Sequence, residues 1–335
     1  MKINDRIYGE QIIKDEIINK LVKTKEIQRL KNISQHGTWH LIKNKISYGS
    51  WTSLGFDTSR FEHSLGVFFL LRKFNASLEE QIAGLIHDVS HFTFSHVIDY
   101  VFGENYSQEF AEKFNNEIIK NSLISSILRE NDIDINYILD KHNFRILEKE
   151  LPDICADRLD YLLRDCFVFG SAKRKLISDV LKSLSVQDGE LVIDNENNAK
   201  QVAKIYLETS KGMWTNHFQA ASYQLLANTI KTALERGFIR EKDFYLTDDF
   251  LFRKLVMSKD KKILENIDIL KNLSVKEGTK NDYDFHIRVK PRCIDPKFLD
   301  GDKIRRISNV DKQLKKDLEE FKERVNKGFY IKIIR

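Results

Sequence analysis

The sequence predicts a mainly α protein with one small β-hairpin and an α+β region toward its C-terminal end. Three observations carry this. Apolar residues recur at helical spacing through most of the chain, and only three prolines interrupt its 335 residues. A single Asp188-Gly189 turn between alternating apolar residues marks a hairpin over 185–193.

Taken in order, residues 16–31 read as one amphipathic helix, with Ile17, Ile18, Leu21, Ile27 and Leu30 on its buried face. Residues 50–55 read as a loop. The stretch 63–74 is apolar around most of its circumference and predicts a central buried helix. A helix over 78–87 follows, with Ala83 and Gly84 small enough for close packing. Further helices are expected over 107–120, 122–130 and 153–167, and a long helical segment over 198–235. Residues 284–289 and 329–334 alternate like strands. These elements divide the chain into a helical domain over 1–240 and a smaller α+β region over 241–335 packed on it.

Composition narrows the class. Apolar residues make up 41% and charged residues 31%, as in an ordinary globular protein. Three scattered cysteines make neither a disulfide framework nor a CxxC zinc site, which fits a reducing cytoplasm. The start of the chain has no apolar core of signal-peptide length. A run of about 18 apolar residues is absent, which excludes a membrane-spanning helix. The net charge of +5 concentrates in residues 303–335, where 11 basic and 5 acidic residues occur. A solvated helix over 311–326 accounts for that tail; contact with phosphate or nucleic acid is the sharper alternative.

The chemistry concentrates in histidine. Of nine histidines, four lie between His63 and His96. Imidazole and carboxylate side by side at His87-Asp88, with His63 upstream and a carboxylate downstream, are the donors that hold one divalent ion with positions left for water and substrate. Consecutive helical residues diverge by roughly 100°, so His87 and Asp88 can share an ion only where the helix ends. Asp157, Asp160, Tyr161 and Arg164 fall at i, i+3, i+4 and i+7. One helix face then carries a ligand, a supporting carboxylate and a phosphate-contacting cation. The plainer alternative is a surface helix with an Asp160–Arg164 ion pair. His91 and His96, beside the ligand pair, are candidates to move a proton.

Several segments together resemble the HD-domain metal-dependent phosphohydrolases, in the branch of the SAM- and HD-domain deoxynucleoside triphosphate triphosphohydrolases. They are INDRIYG (3–9), LVKTKEIQRLKNISQHG (21–37), SRFEHSLGV (59–67), QIAGLIHDVSHFTFSHVID (81–99), DICADRLDYLLRDC (153–166), the hairpin VQDGELVID and ASYQ (221–224). The resemblance implies an HD-domain helical phosphohydrolase fold and one divalent metal ion held by His63, His87, Asp88 and Asp157. It does not choose among Fe, Mn, Zn, Ni and Mg. It implies phosphate or sugar contacts from Gln35, Arg60, Arg158, Tyr161 and Asp165, with His91 as a phosphate contact or proton donor. His96 would be a further active-site histidine supported by Asp99, and Tyr223 and Gln224 would lie near the base. It also implies a homo-oligomer.

The chain departs from this pattern in three places. Gln108 stands where the family has an acid/base histidine. His36 replaces an aliphatic residue beside the sugar. Thr215 and Gln219 replace an arginine and a histidine that grip the triphosphate. The expected activity is metal-dependent hydrolysis of a nucleotide or other phosphorylated small molecule, with a (deoxy)nucleoside triphosphate or related phosphoester favoured. A catalytically weak protein that binds nucleotide or nucleic acid as a sensor or partner module is the alternative.

Overall fold

A computed structural model describes residues 1–42, 58–103, 106 and 110–334. The loop expected at 50–55 and Gln108 lie outside the described residues. Strands β1 (Lys2–Asp5) and β2 (Gly9–Ile12) open the chain as an antiparallel pair. Asp5 shapes their turn by accepting from the backbone N–H of Ile7 at 2.7 Å and of Tyr8 at 3.0 Å.

The single helix expected over 16–31 is instead α1 (Glu16–Val22), α2 (Lys25–Arg29) and a 3₁₀ turn at Leu30–Asn32. Thr24 makes the break. Its hydroxyl donates to the Leu21 carbonyl at 2.8 Å while its own backbone is extended as the N-cap of α2. The apolar face survives the break, since Ile18, Leu21, Ile27 and Leu30 are all buried.

Helix α3 (Arg60–Lys73) starts on a reciprocal cap between Ser59 and Glu62 and buries ten of its residues, as a central helix must. Next come α4 (Leu78–Ile86), α5 (Val97–Phe102), α6 (Asn115–Lys120), α7 (Leu123–Glu130), α8 (Ile135–Leu139), α9 (Ala156–Val168) and α10 (Arg174–Ser183). The predicted hairpin is β3 (Leu184–Gln187) and β4 (Glu190–Ile193), turned by Asp188 and Gly189, both at positive φ. The long helical segment is two helices, α11 (Glu196–Thr209) and α12 (His217–Glu235). A π-helical turn at Ser210–Trp214 and the Asn216 cap of α12 separate them.

Beyond residue 240 come α13 (Asp248–Met257), α14 (Lys261–Lys271), β5 (Val275–Glu277), β6 (Phe285–Ile287), β7 (Lys297–Asp300), β8 (Lys303–Arg306), α15 (Lys312–Lys327) and β9 (Phe329–Ile333). Strand β9 lies between β5 and β6 in a three-stranded antiparallel sheet. The other sheet, β3-β4-β7-β8, joins the hairpin to the C-terminal region through the parallel pair β4–β7. One apolar core runs through both regions, from Ile7 to Ile331. Helix α15 buries Leu314, Leu318, Phe321 and Val325 and faces outward with pairs such as Lys316–Glu320. No helix of the described residues is long and apolar enough to cross a membrane.

Candidate metal centre and cavity

Helices α3, α4 and α9 bring the predicted donors together. Ser77 caps the start of α4, and His87 is its C-cap, so the helix ends where the adjacent His87 and Asp88 must diverge from regular geometry. Close packing of α3 on α9 depends on Gly66. A Cβ there would stand 1.9 Å from Asp160 Oδ1 and 2.2 Å from Arg164 Nη2.

Four hydrogen bonds link α4 to α9 through residues 146 and 147. Glu80 on α4 accepts from the backbone N–H of Ile146 and Leu147, at 2.8 and 2.9 Å. The carbonyls of those two residues accept from Ala156 and Asp157 at the start of α9.

The imidazoles are oriented from behind. His87 Nδ1 is 2.7 Å from the Gly84 carbonyl, which can only accept, so that nitrogen carries the proton. His63 Nδ1 is 2.8 Å from Asp160 Oδ2. Both Nε2 atoms then turn to the same space, 3.3 Å apart, where a proton or an ion can sit between them and the carboxylates. His63 Nε2 also lies 2.9 Å from Asp157 Oδ1, and His87 Nε2 lies 3.4 Å from Asp88 Oδ1 and 3.6 Å from Asp157 Oδ1. Acceptors facing acceptors need a shared cation. Donors bound about 2.0–2.2 Å from one ion are spaced in this way. Donor atoms of His63, His87 and Asp88 all fall within 4.8 Å of one another, with Asp157 beside them.

The charge balance agrees. Burial alone would lower the His63 pKa, but Asp157, Asp160 and Asp88 hold it up at about 10. Burial would raise Asp88, yet Arg60, His87 and His91 keep its carboxyl well below the usual range. The cluster attracts positive charge. His63, His87, Asp88 and Asp157 therefore fit a divalent ion, with Asp160 and the Gly84 carbonyl fixing the two rings.

His87, Asp88 and Asp157 line a cavity of about 460 Å³, and His63 is buried against them. Gln35, His36, Arg60, His91, His96, Arg158, Tyr161, Asp165 and Tyr223 also line it, so the structure gathers most of the predicted site residues. Gln224 is not among the lining residues. Its amide donates to Asn228 at 2.9 Å, one turn along α12, because consecutive helical residues diverge and Tyr223 takes the cavity side. Asp99 also stands behind the lining, 2.8 Å from His96 Nδ1.

Arg164 is corrected. It is fully buried against Asp160 and Asp5 and contacts no cavity, so the Asp160–Arg164 pair is an interior one. Arg60 donates to Asp88 Oδ2 and Ser95, both at 2.9 Å. Arg158 donates to the carbonyls of Asp153 and Lys149 at 2.6 and 3.0 Å.

The comparisons with known proteins agree with this geometry. The HD domain family matches residues 60–165. The protein YdhJ of Bacillus subtilis is 34% identical over the whole of both chains. The chain belongs to the HD-domain metal-dependent phosphohydrolases. It is similar to metal-dependent phosphohydrolase cns2 of Cordyceps militaris, at 28% identity over 90% of this chain and 84% of that one. The SAMHD1 homolog of Dictyostelium discoideum, a deoxynucleoside triphosphate triphosphohydrolase, is 24% identical over 90% of this chain and 62% of that one. A phosphohydrolase from Bacteroides thetaiotaomicron shares the fold, with a TM-score of 0.72 at 20% identity over the full length of both chains.

In this HD-domain phosphohydrolase, His91 Nε2 lies 3.2 Å from Asp88 Oδ1, and its ring is perpendicular to that of His96 at 5.3 Å. Burial and then Arg60 push the His91 pKa down to about 4. Also on the lining, His36 Nε2 is 3.1 Å from Asp165 Oδ1, while Trp214 donates to Asp165 Oδ2 at 2.8 Å. Burial raises the Asp165 carboxyl to about 6 against the pull of His36 and Trp214. Trp39 donates to Gln219 Oε1, and Thr215 turns back to the Ser210 carbonyl. Lys290 and Arg292 also line the cavity, and the sequence analysis missed both. Their signal was the extended run Val289-Lys290-Pro291-Arg292-Cys293, where apolar and basic residues alternate.

Proposed function

We propose that this hydrolase acts on a nucleotide, with a (deoxy)nucleoside triphosphate or related phosphoester as the favoured substrate. The supporting observation is a metal-fitting set, His63, His87, Asp88 and Asp157, beside a cavity that Gln35, His36, Tyr161, Asp165 and Tyr223 also line. A phosphoryl group at the metal-fitting donors leaves the other lining residues for a sugar and base. The printed activity of the Dictyostelium relative points the same way.

A divalent ion bound at the donors supplies polarisation of a phosphoryl oxygen and a water of lowered pKa. Arg60 holds Asp88 in place and completes its charge balance. Asp99 fixes His96 through Nδ1, which leaves Nε2 as the position for moving a proton to or from substrate. His91 is held against Asp88 and orients the phosphate side of the cavity. A homo-oligomer in the cytoplasm belongs to the same reading.

The test is release of phosphate, pyrophosphate and tripolyphosphate from a panel of ribo- and deoxynucleotides with Mn²⁺ added. Turnover of at least one nucleotide is expected, with His96→Ala slower by about 10²–10⁴. Metal-loaded protein that turns over no nucleotide in the panel overturns the nucleotide assignment. Wild-type rates in both His91→Ala and His96→Ala overturn the proton-transfer roles.

A further inference from the structure

The cations assigned to phosphate from the sequence are already engaged within the protein. Arg60 is paired with Asp88 and bonded to Ser95, and Arg158 keeps its charge but turns its fork to two backbone carbonyls. Thr215 and Gln219 bring no charge to the wall near Trp214. A polyanion in this cavity calls for positive charge beyond that of Arg158.

Residues 288–296 supply it. They connect β6 to β7 without helix or strand. Val289 and Cys293 are buried in the core. Lys290 and Arg292 face the cavity. The segment is pinned where it leaves. Asp295 N donates to the Pro152 carbonyl at 2.9 Å, and the Asp295 carboxylate accepts from Ser308 N and Ser308 Oγ. The Arg292 guanidinium stands 6.0 Å from the centre of the Tyr161 ring. Its electrostatic neighbours include the phenols of Tyr161 and Tyr206 and the carboxylate of Asp157. Phenols are neutral near pH 7, and Asp157 belongs to the metal-fitting set. The Arg292 guanidinium is therefore placed beside Tyr161 and the metal-fitting set, on the cavity lining.

We infer that Lys290 and Arg292 form the subsite for the phosphoryl groups that do not face the metal, so the C-terminal region supplies the grip on the substrate's phosphate chain. This rests on the phosphorylated-substrate reading above and names its recognition residues. Arginine's planar fork can take two phosphoryl oxygens at once, while lysine adds a point charge. Binding therefore strengthens with the number of phosphoryl groups.

The experiment titrates full-length, Mn²⁺-loaded protein with inorganic phosphate, pyrophosphate and tripolyphosphate by calorimetry, with metal content measured for each variant. Wild type is expected to bind tripolyphosphate at least tenfold more tightly than phosphate. Arg292→Gln and Lys290→Gln each weaken tripolyphosphate at least tenfold, leave phosphate within about threefold and keep the metal; Arg292→Lys recovers part of the loss. Should Arg292→Gln fail to fold, Lys290→Gln carries the same test. Tripolyphosphate affinity that is unchanged in the variants, or absent from wild type, overturns the subsite. Tripolyphosphate binding that depends on Arg292 without turnover of any nucleotide keeps the subsite and rejects the nucleotide.

Discussion

The two sides of the cavity are built in opposite ways. The metal wall is carried by α3, α4 and α9, and each imidazole is fixed by a partner behind it, Asp160 for His63 and the Gly84 carbonyl for His87. The lining cations Lys290 and Arg292 ride on chain outside helix and strand, fixed by buried neighbours and by Asp295. Helical spacing concentrates metal donors into short, readable motifs. The cationic side depends on where the chain returns after more than a hundred residues.

The largest effect is expected from breaking the metal wall itself. Asp88→Ala removes a donor and leaves Arg60 buried without its carboxylate. Loss of bound metal and about 3–5 kcal/mol of stability are expected, read by metal analysis and denaturant unfolding. Stoichiometric metal in that variant sinks the ligand assignment.

Gly66→Ala tests whether the wall depends on helix spacing rather than on its donors alone. A methyl group there drives α3 from Asp160 and Arg164. Overpacking of this kind costs about 1–3 kcal/mol, and weaker metal binding should accompany it with all four donors intact. Wild-type metal affinity together with normal stability contradicts the close-approach argument.

His36 sharpens the comparison at another part of the lining. An imidazole beside Asp165 offers polar contact where an aliphatic residue would exclude a hydroxyl. Ribo- and deoxynucleotide efficiencies are expected to differ by less than about 100-fold, or about 2.7 kcal/mol. His36→Leu should move that ratio toward deoxynucleotides by about tenfold. A larger deoxy preference in wild type contradicts the role given to His36.

The smallest effect concerns what anchors the cationic side. Glu190 on β4 bonds to Lys297 on β7 and to Lys149, whose carbonyl holds Arg158. Hydrogen bonds from Lys297 and then Lys149 lower its pKa from 4.5 to about 2. A depressed folded-state pKa gives stability that is present above about 4.5 and lost as pH falls toward 2. Glu190→Gln should cost about 1 kcal/mol near neutral pH, as partly exposed pairs do, and almost nothing near pH 2. An equal loss at both pH values removes the ion pairs as the cause.

The helical class, the hairpin and the gathering of His63, His87 and Asp88 with Asp157 beside them were legible from local pattern. His63 and the pair His87-Asp88 announce themselves by residue type, and Asp157 by its place in a helical row. The break at Thr24 was not legible, because a hydroxyl bonded to Leu21 competes with a helix that the apolar pattern permits. The division of residues 198–235 by a π turn escaped for a similar reason, since both halves keep helical periodicity. Arg164 was misplaced because helical phase gives a shared face but not which neighbour covers it. Lys290 and Arg292 were missed because alternation over five residues does not say what lies opposite.

Glu80 behaves as a borrowed piece of backbone. Its carboxylate receives two main-chain N–H groups, and the same two residues receive the first N–H groups of α9. The helix ending at His87 and the helix beginning near Asp157 are thereby latched together by bonds that involve no ion. Part of the order at the site is therefore written into main-chain hydrogen bonds, which are the same whichever ion the donors hold.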